Sequence, residues 1–402
     1  MKTELINQVS DRLNRLSESA TIAMARKSRE LKNQGVDVIS LSLGEPDFFT
    51  PDFIKKAAED AIAQNYTKYM AVNGYEDLRE AISHKFKRDN NLEYSIDQIV
   101  VSTGAKQSIA NVVMSVVNPG DEVIIPAPFW VTYEEIVKMA EGVPVILEAS
   151  IDNDFKISAA ELSAAINERT RLMIYSSPCN PTGSVYSEAE LSELANVIAQ
   201  HPNLVVISDE IYEHINFVGH HTSLAQFSSV YNQVVTINGV SKAFAMTGWR
   251  LGYIGAPKWI ADACTKIQGQ FTSGASSISQ RAAMAAVLAD PSVTHEMREA
   301  FRKRRELVLE KLNEIPGVIA NVPEGAFYVF PDISAFFGLS FKDYKINDAN
   351  DLSLYLLSEA NVALVTGAAF GAPKCIRLSY AASDEELIEA LRRIKDALLK
   401  LS

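Results

Sequence analysis

From about residue 99 onwards, short apolar runs alternate along the chain with longer stretches of mixed apolar and polar residues. Apolar runs of about four to eight residues are typical of buried strands, and the longer stretches are typical of amphipathic helices. Their alternation predicts an α/β fold around a largely parallel sheet. We predict seven strands, at Ile99–Ser102, Glu122–Pro126, Val143–Glu148, Leu172–Ser176, Leu204–Ser208, Val234–Asn238 and Gly252–Ala256.

Turn and capping residues mark the helix boundaries. The apolar-periodic run from Ile109 to Val117 follows the turn Ser102-Thr103-Gly104 and stops at Asn118-Pro119-Gly120-Asp121, which predicts a strand, a tight turn and a helix. A Ser followed three residues later by Glu predicts a capped helix start. Such pairs stand at Ser158/Glu161, Ser187/Glu190 and Ser383/Glu386.

The pattern changes beyond about residue 290. A long helix is predicted over Met297–Glu314, followed by strands around 325–330, 362–365 and 376–379, which indicates a smaller α+β domain. The basic run at 302–305 on this helix is interpreted as a solvated face. Residues 1–47 lack a core of their own, so we expect them to dock elsewhere on the protein or on a second subunit. We therefore expect a large domain over 48–290 and a small domain formed by 1–47 and 291–402.

Composition narrows the classes of partner. The chain has 402 residues, 47% of them hydrophobic, and a formal net charge of −12. Its length excludes a small scaffold stapled by disulfides. Its acidic balance argues against nucleic acid or an anionic membrane as a partner, because both would need clustered excess Lys and Arg. Any anionic ligand must then be bound by local cations.

The cysteines and the first residues bear on the compartment. Cys179, Cys264 and Cys375 are widely spaced and include no CxxC pair, which favours a reducing environment. The N-terminus is polar where a secretory signal would be apolar, and no run approaches the roughly 18 apolar residues of a membrane span. We expect a cytoplasmic protein.

Common catalytic motifs are absent from the sequence. It contains no G-x-x-x-x-G-K-[ST] loop, no G-x-G-x-x-G, no H-E-x-x-H and no G-x-S-x-G. The pair His220-His221 stands in a Gly-flanked loop, which favours a solvated position over a metal site. No metal site is predicted.

Polar residues directly follow three of the predicted strands. Asp209 follows one strand, Ser241-Lys242 follow another, and Asn180 lies in the run after a third. In an α/β sheet, ligands bind at the carboxyl ends of the strands, because helix N-termini and loops converge there. Singly, Asp209 is also compatible with a helix N-cap, Lys242 with a surface lysine and Asn180 with a turn. Their joint spacing favours a functional site.

Lys242 and Asp209 have the chemistry expected of a pyridoxal phosphate site. A lysine that follows an apolar strand and precedes Arg250 is a candidate Schiff-base lysine beside a phosphate site, since neighbouring positive charge lowers the pKa of a nucleophilic amine. The cofactor accepts electrons only while its ring nitrogen is protonated, and a paired carboxylate keeps the proton there. Asp209 fits that role.

At these residues the sequence resembles the class I/II aminotransferases, which are fold-type I enzymes dependent on pyridoxal phosphate. The resemblance runs from Gly44-Glu45-Pro46-Asp47-Phe48 to the segment 375–380, and its most specific part is Ser241-Lys242-Ala243-Phe244-Ala245-Met246-Thr247-Gly248-Trp249-Arg250-Leu251-Gly252. Within the family the chain is most similar to bacterial-type aspartate aminotransferases of subgroup Ib, whose relatives include prephenate aminotransferases. This resemblance implies a mostly parallel seven-stranded sheet with a smaller α+β domain.

The resemblance also implies roles for individual residues. Lys242 would carry pyridoxal 5′-phosphate as a Schiff base and act as general base and acid, and Asp209 would pair with the ring nitrogen. The ring hydroxyl oxygen would be bound by Asn180 and Tyr212, and Trp130 would stack on the ring. The phosphate would be held by Gly104, Ala105, Lys106, Ser241 and Arg250, with Tyr69 reaching in from the other subunit of a homodimer with shared active sites.

The resemblance implies an amino acid and a 2-oxo acid as substrates. Arg377 would bind the substrate α-carboxylate, with Gly44 close by, and Thr21 and Lys106 match positions implicated in recognising a distal carboxylate. Two residues depart from the family pattern: Cys179 stands where Asn is usual, and Ser17 where Lys or Arg is common.

The expected reaction moves an amino group between aspartate, or a related dicarboxylic amino acid, and 2-oxoglutarate by a ping-pong mechanism. Use of prephenate or a broader set of substrates is an alternative. Further alternatives are a carbon–sulfur lyase on the same cofactor and a non-catalytic regulator that keeps the fold.

Overall fold

The computed structural model describes residues 9–402. The strands are β1 (Ile39–Ser40), β2 (Ile99–Ser102), β3 (Glu122–Ala127), β4 (Val143–Glu148), β5 (Thr170–Ser176), β6 (Val205–Asp209), β7 (Val234–Gly239), β8 (Gly252–Gly255), β9 (Tyr328–Val329), β10 (Ser340–Phe341), β11 (Tyr344–Lys345), β12 (Val362–Ala363), β13 (Val365–Thr366) and β14 (Ile376–Ser379).

The helices before the central residue of the chain are α1 (Asp11–Asn14), α2 (Ala20–Asn33), α3 (Asp52–Ala63), α4 (Glu76–Asn90), α5 (Ala105–Val116), α6 (Thr132–Met139), α7 (Ala159–Ala165) and α8 (Glu188–Ile198). Those after it are α9 (Lys258–Phe271), α10 (Ser277–Leu288), α11 (His295–Asn313), α12 (Ala349–Glu359) and α13 (Asp384–Leu398). Helices α7, α8 and α13 begin at the three predicted capping boxes. Within residues 9–402, every helix is too short or too polar to cross a bilayer.

The central sheet has seven strands in the order β2-β8-β7-β6-β5-β3-β4. Strand β8 runs antiparallel to β2 and β7, and the other neighbours are parallel. The predicted α/β fold with a mostly parallel seven-stranded sheet is confirmed, and each predicted strand lies within two residues of an observed one.

The sheet is covered on both faces. Along β3, Val123 and Ile125 belong to one hydrophobic cluster, while Ile124 belongs to the cluster on the opposite face. Strands that are buried on both faces favour apolar residues at successive positions, which explains the nearly continuous apolar runs in the sequence. Polar side chains lie mostly near the strand ends. Thr236 in the middle of β7 is an exception, and its hydroxyl is hydrogen-bonded with that of Tyr94.

A second layer contains the three-stranded antiparallel sheet β13-β14-β9 and helices α11 and α13, with its own hydrophobic cluster. The described N-terminal residues pack here: β1 pairs in parallel with β12, and α2 contacts β12 and β13. The domain limits at 48 and 290 stay a prediction.

The basic run on α11 is not simply a solvated face. The Arg304 guanidinium donates to both carboxylate oxygens of Asp47, at 2.7 and 2.9 Å. The Arg305 guanidinium carbon lies 4.9 Å from the ring centroid of Phe217. The expectation of a solvated face is therefore wrong for these two residues, because an arginine can pack its flat guanidinium against apolar and acidic groups of neighbouring segments.

The expectation of a solvated histidine pair is wrong for His221, which is buried, and correct only for the exposed His220. The Nε2 atom of His221 lies 3.0 Å from a carboxylate oxygen of Glu210. Glu210 follows β6 into the protein interior and also accepts hydrogen bonds from Ser208 and Ser223. A buried carboxylate needs such donors, and His221 is drawn inward as one of them.

A second buried charge cluster joins α4 to the segment after β6. The Lys85 ammonium is ion-paired with Glu213 and donates to Asn90 Oδ1 at 2.7 Å. Asn90 Nδ2 in turn donates to Glu213 at 2.6 Å. Burial alone would raise the pKa of Glu213, but the charges of Lys85 and His214 outweigh it and hold that pKa well below its usual range.

Lys85→Met is expected to lower the free energy of unfolding by about 3–5 kcal/mol, because it leaves the Glu213 carboxylate buried without its cation. Lys87→Met on the same helix is the matched control, since Lys87 is exposed and pairs with the exposed Glu93, and it should change stability far less. Urea denaturation of both variants measures the difference. Equal losses in the two variants would contradict this account of the cluster.

Candidate active site

A cavity of about 250 Å³ lies at the carboxyl edge of the central sheet, where the second layer meets it. The predicted site residues that line it are Thr21, Gly44, Ala105, Lys106, Trp130, Asn180, Asp209, Tyr212, Ser241, Lys242, Arg250 and Arg377. Gly104 adjoins the cavity through Ala105. Tyr69 is 99% exposed and does not line the cavity of its own chain.

The turn from β2 into α5 has the geometry of an anion site. Gly104 precedes the helix with a φ of 84°, in the region that favours glycine, and the first backbone N–H groups of α5 have no partner within the helix. A Cβ on Gly104 would lie 2.6 Å from Nη2 of Arg250. The guanidinium of Arg250 therefore lies directly against the turn, beside the positive end of α5.

Lys106 and Gly252 also lie beside this turn. The Lys106 ammonium lies 4.9 Å from the ring centroid of Trp130. Burial, with a contribution from the charge of Arg250, lowers the pKa of Lys106. The Cα of Gly252 packs so closely on the turn that a Cβ would lie 2.3 Å from the backbone nitrogen of Ala105.

Asp209 ends β6 with a buried carboxylate. It accepts hydrogen bonds from the Tyr133 hydroxyl at 2.7 Å and from the Ile211 backbone N–H at 3.3 Å. Burial raises the pKa of Asp209 to about 6, although these hydrogen bonds oppose it. Within residues 9–402, no cationic side chain hydrogen-bonds to Asp209, so a protonated ring nitrogen in the cavity would stabilise its charged form.

Lys242 follows β7 with only Val240 and Ser241 between them. Its ammonium donates a hydrogen bond to the carbonyl oxygen of Gly44. Burial lowers the pKa of Lys242 to about 8, and the charges of Arg377 and Arg250 contribute while Glu45 opposes them. An amine with this pKa is neutral in a substantial fraction near pH 8, which is the form that attacks a carbonyl carbon.

Arg377 lies on β14 and is 1% exposed. Its guanidinium donates to Asn180 Oδ1 at 2.8 Å and to the Ser42 carbonyl oxygen at 2.6 Å, while Nε has no partner. Among the described residues 9–402, no carboxylate forms an ion pair with it. A buried cation held only by neutral groups is costly, and a carboxylate entering the cavity would supply the missing charge.

Tyr212 and Asn180 both reach the cavity, but each already has a partner in the protein. Asn180 accepts from Arg377, and the Tyr212 hydroxyl lies 2.7 Å from that of Tyr328. The sequence patterns do not single out Tyr328, since it lies inside the strand predicted at 325–330. They do not single out Tyr133 either, because a buried tyrosine in a helix carries no motif.

The two residues that depart from the family pattern lie outside this central group. The Ser17 backbone N–H donates to a carboxylate oxygen of Glu135 at 2.8 Å, a contact that does not depend on the side chain of residue 17. Cys179 lies behind the cavity with Sγ 3.6 Å from the carbonyl oxygen of Pro128, and burial raises the pKa of its thiol. Neither residue lines the cavity.

This fold and this site define a family. Residues 36–394 match the family model described as aminotransferase class I and II, so the chain belongs to that family. The resemblance stated from the sequence is confirmed.

The chain is 48% identical to the bifunctional aspartate aminotransferase and glutamate/aspartate-prephenate aminotransferase of Petunia hybrida, over 100% of this chain and 85% of the relative. The crystal structure of the aspartate aminotransferase from Rhizobium meliloti is 42% identical, with a TM-score of 0.95 over 98% of this chain and 100% of that chain. The aspartate aminotransferase from Thermus thermophilus with maleate is 39% identical, with a TM-score of 0.92 over 98% and 100%.

Gly252→Ala is expected to displace the Gly104–Ala105 turn. The new methyl group would clash with the backbone of Gly104 and Ala105, and backbone atoms can move only if the whole turn moves. Such overpacking costs about 1–3 kcal/mol, and here the cost falls on the anion site. Titration of the apoprotein with pyridoxal phosphate should show weaker binding. Gly248→Ala is the control, since nothing lies within 4 Å of its Cβ position; equal affinities in the two variants would contradict the prediction.

Proposed function

We propose that the protein is a pyridoxal phosphate-dependent transaminase that moves an amino group between aspartate, or a related dicarboxylic amino acid, and 2-oxoglutarate in two ping-pong half-reactions. The observation that carries this proposal is the convergence of Lys242, Asp209 and Arg377 on one cavity. This reaction requires an amine of lowered pKa, a buried carboxylate and a guanidinium available to a carboxylate. The Arg377 guanidinium has no acidic partner within residues 9–402.

The cofactor fits the residues present. When bound, pyridoxal phosphate supplies an electron sink for the electrons released at the substrate Cα. The N-terminus of α5, Ser241 and Arg250 would hold the phosphate, and Asp209 would hold a proton on the ring nitrogen. Tyr212 and Asn180 would bind the ring oxygen, with Trp130 against the ring face.

The chain's own groups carry out the proton transfer and the binding of substrate. Arg377 binds the α-carboxylate bidentately, a geometry that suits a planar guanidinium. Lys242 Nζ would take the proton from the substrate Cα as general base and, once protonated, would act as the general acid that gives the proton back. The lowered pKa of Lys242 suits both steps near neutral pH.

Thr21 and Lys106 are proposed to bind the distal carboxylate of the substrate. Both line the cavity that also contains Arg377, and this supports the proposal that they bind the second carboxylate of a dicarboxylic acid whose α-carboxylate is bound by Arg377. Relatives named aspartate aminotransferase support this substrate class. Others named aspartate/prephenate aminotransferase make prephenate a second candidate for the acceptor oxo acid.

A homodimeric assembly and a cytoplasmic location are also part of the proposal. A homodimer would bring Tyr69 of one protomer to the phosphate site of its partner. Tyr69 and Phe49 are 99% and 92% exposed in the single chain, so both side chains are available for contact with a second protomer. We propose a cytoplasmic location, in line with the reduced cysteines expected from the sequence.

Lys242→Ala is expected to abolish both half-reactions, because it removes the group that moves the proton. Borohydride reduction followed by peptide mass spectrometry should attach the cofactor to residue 242 in the unmodified protein. Lys258→Ala, at an exposed lysine paired with Asp262, is the control and should retain full turnover. Full activity in Lys242→Ala would refute the mechanism.

Lys106→Met is expected to lower kcat/KM for aspartate by roughly ten- to a hundredfold relative to alanine, since one charged hydrogen bond to the distal carboxylate is lost. Thr21→Val removes only a hydroxyl from a residue of α2 that is not among those proposed to hold the cofactor, so it tests the same carboxylate independently of the phosphate turn. Single-turnover mixing with aspartate, glutamate, alanine, phenylalanine and arogenate measures the preference. A faster reaction of unmodified protein with alanine or phenylalanine than with the dicarboxylates would contradict the proposal.

A further inference from the structure

Tyr328 lies at the point where the two layers meet, on β9 of the smaller sheet. Its side chain is fully buried, with its hydroxyl oxygen 2.7 Å from that of Tyr212. The Arg377 guanidinium carbon lies 4.6 Å from its ring centroid. A Cβ on Gly44 would lie 2.3 Å from the Tyr328 hydroxyl oxygen. Tyr328 thus contacts three residues of the site. Gly44 accepts a hydrogen bond from the Lys242 amine, and Tyr212 and Arg377 are proposed to bind the cofactor ring oxygen and the substrate α-carboxylate.

We propose that Tyr328 is a positioning residue for the transamination: its hydroxyl donates to Tyr212 and so directs the Tyr212 proton towards the oxygen of the bound cofactor ring. The proposal rests on the proposed function, since it concerns the same cofactor. Nothing in the sequence patterns or in the names of the relatives assigns a role to this residue.

The number of hydroxyl protons on Tyr212 and Tyr328 links the direction of their hydrogen bond to what Tyr212 can donate to a ligand. Each hydroxyl carries one proton, and Tyr212 can donate its proton either to Tyr328 or to a ligand in the cavity. If Tyr328 is the donor, the Tyr212 proton stays available to the ligand. The Tyr212 oxygen then accepts one hydrogen bond and donates another, and each of the two bonds strengthens the other.

The electrostatic surroundings favour Tyr328 as the donor. Burial raises the pKa of both hydroxyls, well above the usual value for Tyr212, while the charge of Arg377 opposes the rise at each. The guanidinium carbon of Arg377 lies 4.6 Å from the Tyr328 ring centroid. A cation at this position stabilises the negative charge left on the Tyr328 oxygen when its proton is shared, which makes Tyr328 the better donor of the pair.

The close approach of Gly44 fixes where the Tyr328 hydroxyl can lie. The Gly44 carbonyl accepts from Lys242, and the hydrogen at its Cα leaves just enough room for the Tyr328 oxygen. On the other side, the Tyr328 ring is held against Arg377, and Tyr328 is aligned with Ser379 in the β9–β14 pair. The hydroxyl is therefore held towards Tyr212 by backbone and by a buried cation.

The test uses the holoenzyme and the absorption band of the Lys242-linked cofactor. Tyr328→Phe should raise the pKa of that spectral transition by roughly half a pH unit, because Tyr212 becomes a weaker donor to the ring oxygen. It should lower kcat with little change in KM for aspartate. Tyr380→Phe is the matched control: Tyr380 is equally buried in the same cluster, but its hydroxyl donates to the backbone carbonyl of Ala326 at 3.3 Å.

A double variant separates positioning from direct contact. If Tyr328 acts through Tyr212, then Tyr212→Phe/Tyr328→Phe should have the spectral pKa and the kcat of Tyr212→Phe alone. Additive effects, a spectral pKa that does not move in Tyr328→Phe, or the same shift in Tyr380→Phe would overturn the proposal.

The proposed function is judged by the unmodified protein in the same experiment. If that protein binds pyridoxal phosphate and transaminates aspartate while the Tyr328 variants behave additively, only the role of Tyr328 is refuted. If the unmodified protein does neither, the proposed function fails first and the role of Tyr328 fails with it.

Discussion

Burial of the central sheet on both faces is the constraint on which the site depends. No polar side chain is tolerated along the middle of strands such as β3 or β7 without a buried partner, so functional groups collect where strands end. Asp209 ends β6, Lys242 follows the neighbouring strand β7, and the N-terminus of α5 lies on the same edge. The second layer adds Arg377 from the opposite side and closes the cavity.

The cavity shifts the pKa values of its ionisable groups in opposite directions. Asp209 has a raised pKa and Lys242 a lowered one, both chiefly through burial. Arg377 stays charged but lacks an acidic partner among the described residues. Each of these groups is costly in the protein alone and favourable beside a ligand of matching charge, which is how a binding site is distinguished from a stabilising salt bridge.

Much of the fold is predictable from the sequence, because apolar runs and capping boxes are local signals. The seven strands and the helix starts at Ser158, Ser187 and Ser383 are examples. The candidate site is predictable where a residue belongs to a contiguous motif, as Lys242 does. Tyr328 and Tyr133 are not, since only the folded chain brings a hydroxyl of the smaller sheet, or of a helix, against a residue that ends a distant strand.

Polar contacts between separate segments are also where prediction fails. His221 and Arg304 have sequence contexts typical of solvated residues, yet His221 is buried against Glu210, and Arg304 is largely covered and paired with Asp47. Pairing of this kind depends on tertiary geometry, which hydrophobic periodicity does not describe.

The guanidinium of Arg377, which has no acidic partner within residues 9–402, links ligand binding to stability. A ligand that binds only the folded state stabilises that state by mass action, by an amount that grows with the logarithm of its concentration above the dissociation constant. Under the proposed function, a carboxylic acid bound at Arg377 would therefore raise the free energy of unfolding. The unliganded form would open more often and be cleaved more readily by proteases.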